Sequence, residues 1–169
     1  PMEISSWSRI LKEVPYAVLW INEPTNIAKN NLLNLFIDKD INSNRIYFAK
    51  RMESIQEHLS RHSCADLFID TFSFNAHSTA MDSLWCELPV VTLMGKSFIA
   101  RVASSLLTNI GLTELIAKNQ NDYEEIIIRL AKRSDLMTNI KIKLKKAKKN
   151  SVLFNSEKFT LDLENIYEE

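Results

Sequence analysis

Short apolar runs alternate along the chain with longer stretches whose apolar residues return every three or four positions. Val18-Leu19-Trp20-Ile21, after Pro15, reads as a buried strand, and Asn26 to Asp38 carries Ile27, Leu32, Leu33, Leu35 and Phe36 at near-helical spacing. Arg45-Ile46-Tyr47-Phe48 is a second strand, followed by a helix over Met52 to His62 with Ile55 and Leu59 four apart. Leu67-Phe68-Ile69, between Asp66 and Asp70, is a third strand. A helix from Ser78 to Cys86 leads through Pro89 to a fourth, Val90-Val91-Thr92-Leu93. Ser97 is placed to cap a helix that runs to Asn109 and stops at Gly111. Leu112 to Ala117 reads equally as a short strand or a turn. Helices are expected over Asp122–Ala131, Ser134–Lys149 and Phe159–Glu168, the last with Phe159, Leu163 and Ile166 on one side.

Strands alternating with amphipathic helices predict an α/β fold: a Rossmann-like parallel sheet with helices on both faces. Ligands of such sheets bind beyond the carboxyl ends of the strands. Attention therefore falls on the loops after Ile21, Phe48, Ile69 and Leu93. No internal repeat or low-complexity linker divides the 169 residues, so a single domain is expected.

Composition narrows the chemistry. Twenty-one basic residues balance twenty-one acidic ones, so no global field favours nucleic acid or a membrane surface, and any anion site must be local. No apolar run reaches the ~18 residues of a bilayer span. Cys64 and Cys86 form no CxxC pair and read as buried thiols of a reducing compartment, the cytoplasm. Only two glycines occur, Gly95 and Gly111, which excludes a Gly-rich phosphate cradle.

The stretch Asp70-Thr71-Phe72-Ser73-Phe74-Asn75-Ala76-His77-Ser78-Thr79-Ala80-Met81-Asp82 leaves the third strand and enters a helix. A helix start offers unpaired N–H groups and the positive end of a dipole, which suits phosphate. Ser78 and Thr79 add hydroxyls, His77 an imidazole, and Asp82, one turn on, a carboxylate for sugar hydroxyls. The same spacing also fits a Ser78 that merely caps a core helix and a His77 that lies on the surface. His58 and Arg61, three apart before the third strand, either border the same crevice or sit on a solvated face; His62 lies off that face.

Other patterns carry less. Gly95-Lys96-Ser97 opens a helix after a strand, but a P-loop needs glycine where Val90 stands. Asp66 and Asp70 flank a strand ~13 Å apart, too far to share a metal. The lysines at 141, 143, 145, 146, 148 and 149 lack interleaved aromatics and read as a solvated helix face.

Taken together, these residues resemble glycosyltransferase family 41, the family of the O-linked N-acetylglucosamine transferases. The resemblance starts at Trp7-Ser8-Arg9-Ile10-Leu11 and Val14 to Trp20, and strengthens at Glu57-His58-Leu59, Ala65-Asp66-Leu67 and Asp70-Thr71. It is densest over Asn75 to Trp85 and Pro89 to Leu93, and continues through Ser97–Leu107, Glu114–Ala117 and Leu153-Phe154-Asn155. It implies the C-terminal half of a GT-B fold, a nucleotide-sugar-binding domain over residues 1–169. His77, Ser78 and Thr79 would hold the diphosphate of a UDP-sugar, UDP-N-acetylglucosamine in the family. Asp82 would take the ribose, with His58 against the uracil and Arg61 near it. The implied reaction inverts the anomeric carbon, transfers the sugar to a protein Ser or Thr, and uses no metal or other cofactor.

No catalytic residue of this chain is assigned. The family's first strand of this half, with its glutamine and lysine, its N-terminal half and its TPR repeats, which engage the protein acceptor, are expected to lie outside the chain. The sheet edge left without that first strand is a candidate surface for dimerisation. Two positions depart from the family: Ala76 stands where glycine is usual, and Ile55 where a lysine lies near the uridine. Both accommodate the alternative of a non-catalytic interaction module that keeps the fold without the transfer chemistry.

Overall fold

The structure is a computed structural model that describes residues 2–168. It opens with a helix that the periodicity reading leaves out, α1 (Met2–Glu13), whose buried face is Ile4, Ser6, Ser8, Ile10 and Leu11. There follow β1 (Leu19–Asn22), α2 (Asn26–Ile37), β2 (Ile46–Ala49), α3 (Ile55–Ser60), β3 (Phe68–Ile69), α4 (Ser78–Trp85), β4 (Val90–Leu93), α5 (Val102–Asn109) and β5 (Ile116–Ala117). Three helices close the chain: α6 (Gln120–Lys132), α7 (Ser134–Asn150) and α8 (Ser156–Glu168).

Local chemistry sets most boundaries. Thr25 caps α2 through the Ala28 N–H. Ser54 and Glu57 form a reciprocal capping box, so α3 starts at Ile55 rather than Met52, and it tightens into a 3-10 turn at Arg61–Cys64. Asn119 caps α6. Gly111 follows α5 with φ +71°, the left-handed position that favours glycine. Ser97 makes no capping bond. A 3-10 turn at Phe98–Ala100 intervenes, and α5 begins only at Val102. Between Leu112 and Ala117 both expected forms occur, a 3-10 turn and then β5.

Every strand pairing is parallel, with helices packed on the sheets, as the alternation requires. The sheet is nevertheless in two pieces, β1-β2 and β3-β4-β5. Each has its own core. Ile4, Leu11, Leu19, Phe36, Ile41 and Ile46 form the smaller one. The larger centres on Leu84, Val90, Val91, Leu107, Leu112, Tyr123 and Leu144. Trp7 and Ile69 pack against both and hold the pieces together.

A second link joins α1 to α6. The Glu124 carboxylate accepts from the Ser6 hydroxyl at 2.6 Å and from Arg9 at 2.5 and 2.7 Å. Burial alone would raise this carboxyl, but those donors hold it below its ordinary value. The cysteines are not buried as expected. Cys64 ends a surface turn and is exposed, and Cys86 is half-buried with its thiol against the Leu59 carbonyl. No described helix is long and apolar enough to cross a membrane.

Candidate functional site

β3 ends at Ile69, and the chain then makes an eight-residue loop before α4. Asp70 organises that loop. One carboxylate oxygen accepts the N–H groups of Thr71 at 2.9 Å and Ala76 at 2.7 Å, and the other accepts the Thr92 hydroxyl at 2.7 Å. Asn75 donates its side-chain amide to the Thr71 carbonyl at 2.9 Å, and its own N–H bonds the Ile99 carbonyl at 2.9 Å. From below, the Tyr123 hydroxyl donates to the Asp70 carbonyl at 2.9 Å, and Trp7 reaches that hydroxyl at 3.3 Å. The loop between strand and helix is thus tied at both ends.

Asp70 is 1% exposed. Burial pushes its carboxyl up to about 6, although the Thr92, Ala76 and Thr71 donors and the nearby His77 all pull the other way. The sequence reading set this residue at the head of the informative stretch but gave it no role beyond half of an improbable metal pair. The available signal was an aspartate at a strand's carboxyl end before a turn, where carboxylates bond the backbone that follows.

The loop delivers His77 as the residue before α4, with no side-chain cap bond of its own. Ser78 is therefore the first helical residue rather than the cap. The N–H groups at the start of α4 have no carbonyl partners within the helix. Ser78 is exposed, and Thr79 and His77 are half-buried, so neither hydroxyl is sealed beneath the protein. Ala76 keeps a negative φ, since the positive-φ non-glycine residues among those described are Asp40 and Glu87. Its N–H goes to Asp70, so this turn does not need the glycine that the family resemblance implied.

One turn into α4, Asp82 meets His58. The His58 Nε2 lies 3.1 Å from an Asp82 carboxylate oxygen, both side chains being partly exposed. His62 packs edge-on against His58 at 5.1 Å and is buried, its Nδ1 against the His58 carbonyl at 2.9 Å. It supports the His58 backbone from inside. Arg61 ends α3 and, with Thr79, faces a cavity beside β3 that the other four candidates do not line. The six sequence candidates thus fall into three places: His77 and Ser78 at the mouth of α4, the His58–Asp82 pair beside it, and Arg61 and Thr79 toward the cavity.

Two aromatic residues were not anticipated. Phe74 stacks on His77 with ring centres 5.0 Å apart and planes 13° from parallel, and Phe98 meets the same imidazole edge-on at 6.4 Å. Both phenylalanines are exposed. Neither follows the helical or strand period, so periodicity leaves them as loop residues.

Gly95 does not cradle an anion. Its N–H bonds the Ala100 carbonyl, and a Cβ there would stand 2.5 Å from that of Ala100. The glycine serves close packing of the loop before α5. Of the α7 lysines, Lys143 pairs with Glu114, and Lys148 lies 4.3 Å above the Trp85 ring.

The sequence model of glycosyl transferase family 41 matches residues 1–163. The UDP-N-acetylglucosamine–peptide N-acetylglucosaminyltransferase of Caenorhabditis elegans is 31% identical over 98% of this chain, which covers 14% of that protein. The probable UDP-N-acetylglucosamine–peptide N-acetylglucosaminyltransferase SPINDLY of Solanum lycopersicum is 28% identical over 99% of the chain and 18% of its own length. A solved structure of a mutant Thermobaculum terrenum O-GlcNAc transferase superposes with a TM-score of 0.91 at 26% identity, over 99% of this chain and 32% of that one. The chain thus spans a minor part of the length of each of these relatives.

Proposed function

The chain belongs to glycosyltransferase family 41, and from that membership we propose that it is the donor-nucleotide domain of a protein O-glycosyltransferase. The observation that carries this reading is the mouth of α4: an uncapped helix start with an exposed Ser78 and a half-buried His77, on a loop braced by Asp70, and Thr79 next in the helix, half-buried toward the cavity. That group of donors is suited to a diphosphate. In this reading Asp82, held by His58, takes the ribose hydroxyls and His58 lies against the base, with Arg61 reaching it from the cavity side of α3. The relatives' names point to UDP-N-acetylglucosamine as donor and a peptide as acceptor.

In the transfer, an acceptor Ser or Thr oxygen bonds the anomeric carbon from the face opposite UDP. The bond from that carbon to the phosphate oxygen breaks, UDP departs with the electron pair, and the hydroxyl proton passes to a base. This chain's part is to stabilise the charge arriving on the departing diphosphate, with amides, hydroxyls and imidazole already in position. Those donors do this without a metal ion. The base and the acceptor's binding surface belong to other parts of the enzyme.

Calorimetric titration of the folded chain with UDP tests the reading. Binding is expected, with Thr79→Ala and His77→Ala each weakening it tenfold or more, the worth of one charge-assisted hydrogen bond of ~1.5–3 kcal/mol. Absence of heat from the folded protein refutes it. One observation favours a second reading, a partner-binding module without transfer chemistry: Phe74 covers one face of His77 and Phe98 abuts it, forming an exposed aromatic surface where the diphosphate would lie. Under that reading UDP does not bind, and Phe98→Ala removes a protein partner instead.

A further inference from the structure

The fold treats two phenylalanines of one loop differently. Phe72 is 6% exposed and packs edge-on against Tyr123 with ring centres 5.0 Å apart, whereas Phe74, two residues on, is 58% exposed. That exposure is built in. The Phe74 carbonyl accepts the Thr71 hydroxyl, and the next residue, Asn75, is fully buried with its N–H on the Ile99 carbonyl, so the backbone on both sides is tied down. Phe98, on the loop after β4, is 81% exposed. The two rings meet at His77. Phe74 lies 13° from the imidazole plane and Phe98 84° from it, so the phenylalanine planes stand near right angles and form a corner. Both rings forgo the stabilisation that burial would bring. The diphosphate gives no reason for this, because the face of an aromatic ring carries the negative end of its quadrupole and repels an anion. A neutral ring with polarised C–H bonds on its face is attracted there instead.

We infer that Phe74 and Phe98 seat the sugar ring of the donor, a subsite that rests on the nucleotide reading and deepens it. In a nucleoside diphosphate sugar the sugar begins one oxygen beyond the second phosphate. A diphosphate held by His77 and the start of α4 therefore leaves the sugar beside His77, where the two exposed rings stand. The base lies at the other end of the ligand, by His58 and Asp82, so the corner is not its seat. A pyranose carries C–H bonds on its faces and hydroxyls around its rim. One C–H face stacks on Phe74, Phe98 closes one side of the ring, and the remaining rim hydroxyls stay in water. The platform favours a neutral sugar over one bearing a carboxylate, which the π face would repel. Phe74 also stacks on His77, so the residue that holds the phosphate and the one that holds the sugar share a single rigid loop.

Calorimetric titration of the whole chain with UDP and with UDP-N-acetylglucosamine tests this, since the ratio of the two affinities isolates the sugar. In Phe74→Ala that ratio should fall about three- to tenfold, the worth of one aromatic stack. Phe74→Leu, which keeps bulk without a π face, should lower it as well, and Phe74→Trp should keep it at the wild-type value or above. In saturation-transfer NMR, magnetisation should pass from the protein's aromatic protons to the sugar C–H protons of bound UDP-N-acetylglucosamine, and that transfer should disappear in Phe74→Ala. An unchanged ratio overturns the inference while the nucleotide reading stands. So does an equal loss of affinity for both ligands, which would mean that Phe74 only steadies His77. A folded wild type that binds neither ligand overturns both.

Discussion

Replacing Asp70 with asparagine tests how the loop before α4 is held. The carboxyl sits at about 6, against 3.8 for an unperturbed aspartate, because burial outweighs its three donors and the nearby imidazole. A difference of about 2 pH units at ~1.4 kcal/mol each corresponds to ~3 kcal/mol. Because the folded value is the higher one, the native state binds more protons than the unfolded chain between pH 4 and 6. The stabilisation is fully present below pH 4 and is lost as pH rises through 6. Asparagine keeps a carbonyl oxygen for the Thr71 and Ala76 N–H groups, and its amide can donate to the Thr92 hydroxyl, which turns to accept.

The variant should therefore match the wild type to within ~1 kcal/mol at pH 4 and exceed it by up to ~3 kcal/mol at pH 7.5. Urea unfolding of both proteins across that range, followed by tryptophan fluorescence, gives the difference directly, and titrations common to both cancel. A flat difference, or a wild type that gains on the variant as pH rises, refutes the account. UDP affinity provides a second readout. Asp70→Asn should retain it within a few-fold, because the loop keeps its acceptor, whereas Asp70→Ala should lose it.

Tyr123→Phe keeps the ring against Phe72 but strands the Asp70 carbonyl and the Trp7 N–H, and should lower stability by ~1–3 kcal/mol in thermal unfolding. Gly95→Ala drives a Cβ to 2.5 Å from that of Ala100, and should cost ~1–3 kcal/mol with local loss of the Gly95–Ala100 hydrogen bond in amide exchange. Leu144→Ala empties a fully buried position where α7 meets the larger core, and should cost ~2–5 kcal/mol in denaturant unfolding.

Much of the architecture is legible in the chain because parallel strands buried on both faces are short apolar runs, and Val90 to Leu93 is such a run. The start of α2 is read correctly after Thr25, whereas α6 begins two residues earlier than periodicity places it, directly after its cap Asn119. Helix limits fail where a residue of the right type does other work: Ser97 has a capping serine's position but precedes a 3-10 turn. α1 escapes because its buried face includes Ser6 and Ser8, so its apolar stripe is interrupted by hydroxyls, one of which bonds Glu124. The break in the sheet is illegible in principle from periodicity, which says which residues are strand and nothing about which strands are neighbours.

The candidate site divides along the same line. Residue types and spacing mark His77, Ser78, Thr79 and Asp82 as candidates, because a helix start after a strand is a local pattern, though the same spacing fits a plain helix cap. What places them is not local. Asp70 reaches six residues ahead to Ala76 and 22 ahead to Thr92, and Tyr123 comes from 53 residues away to bond Asp70. That reach explains how a chain with two glycines forms a turn that leaves the start of α4 open. A glycine-rich loop presents its amides by adopting backbone conformations closed to other residues. Here a buried carboxylate takes the loop's inward amides, so the backbone stays in ordinary conformations and the amides at the start of α4 remain free. Burial of that carboxylate, against the pull of its donors, raises it to about 6, so the group that braces this loop also makes it sensitive to pH.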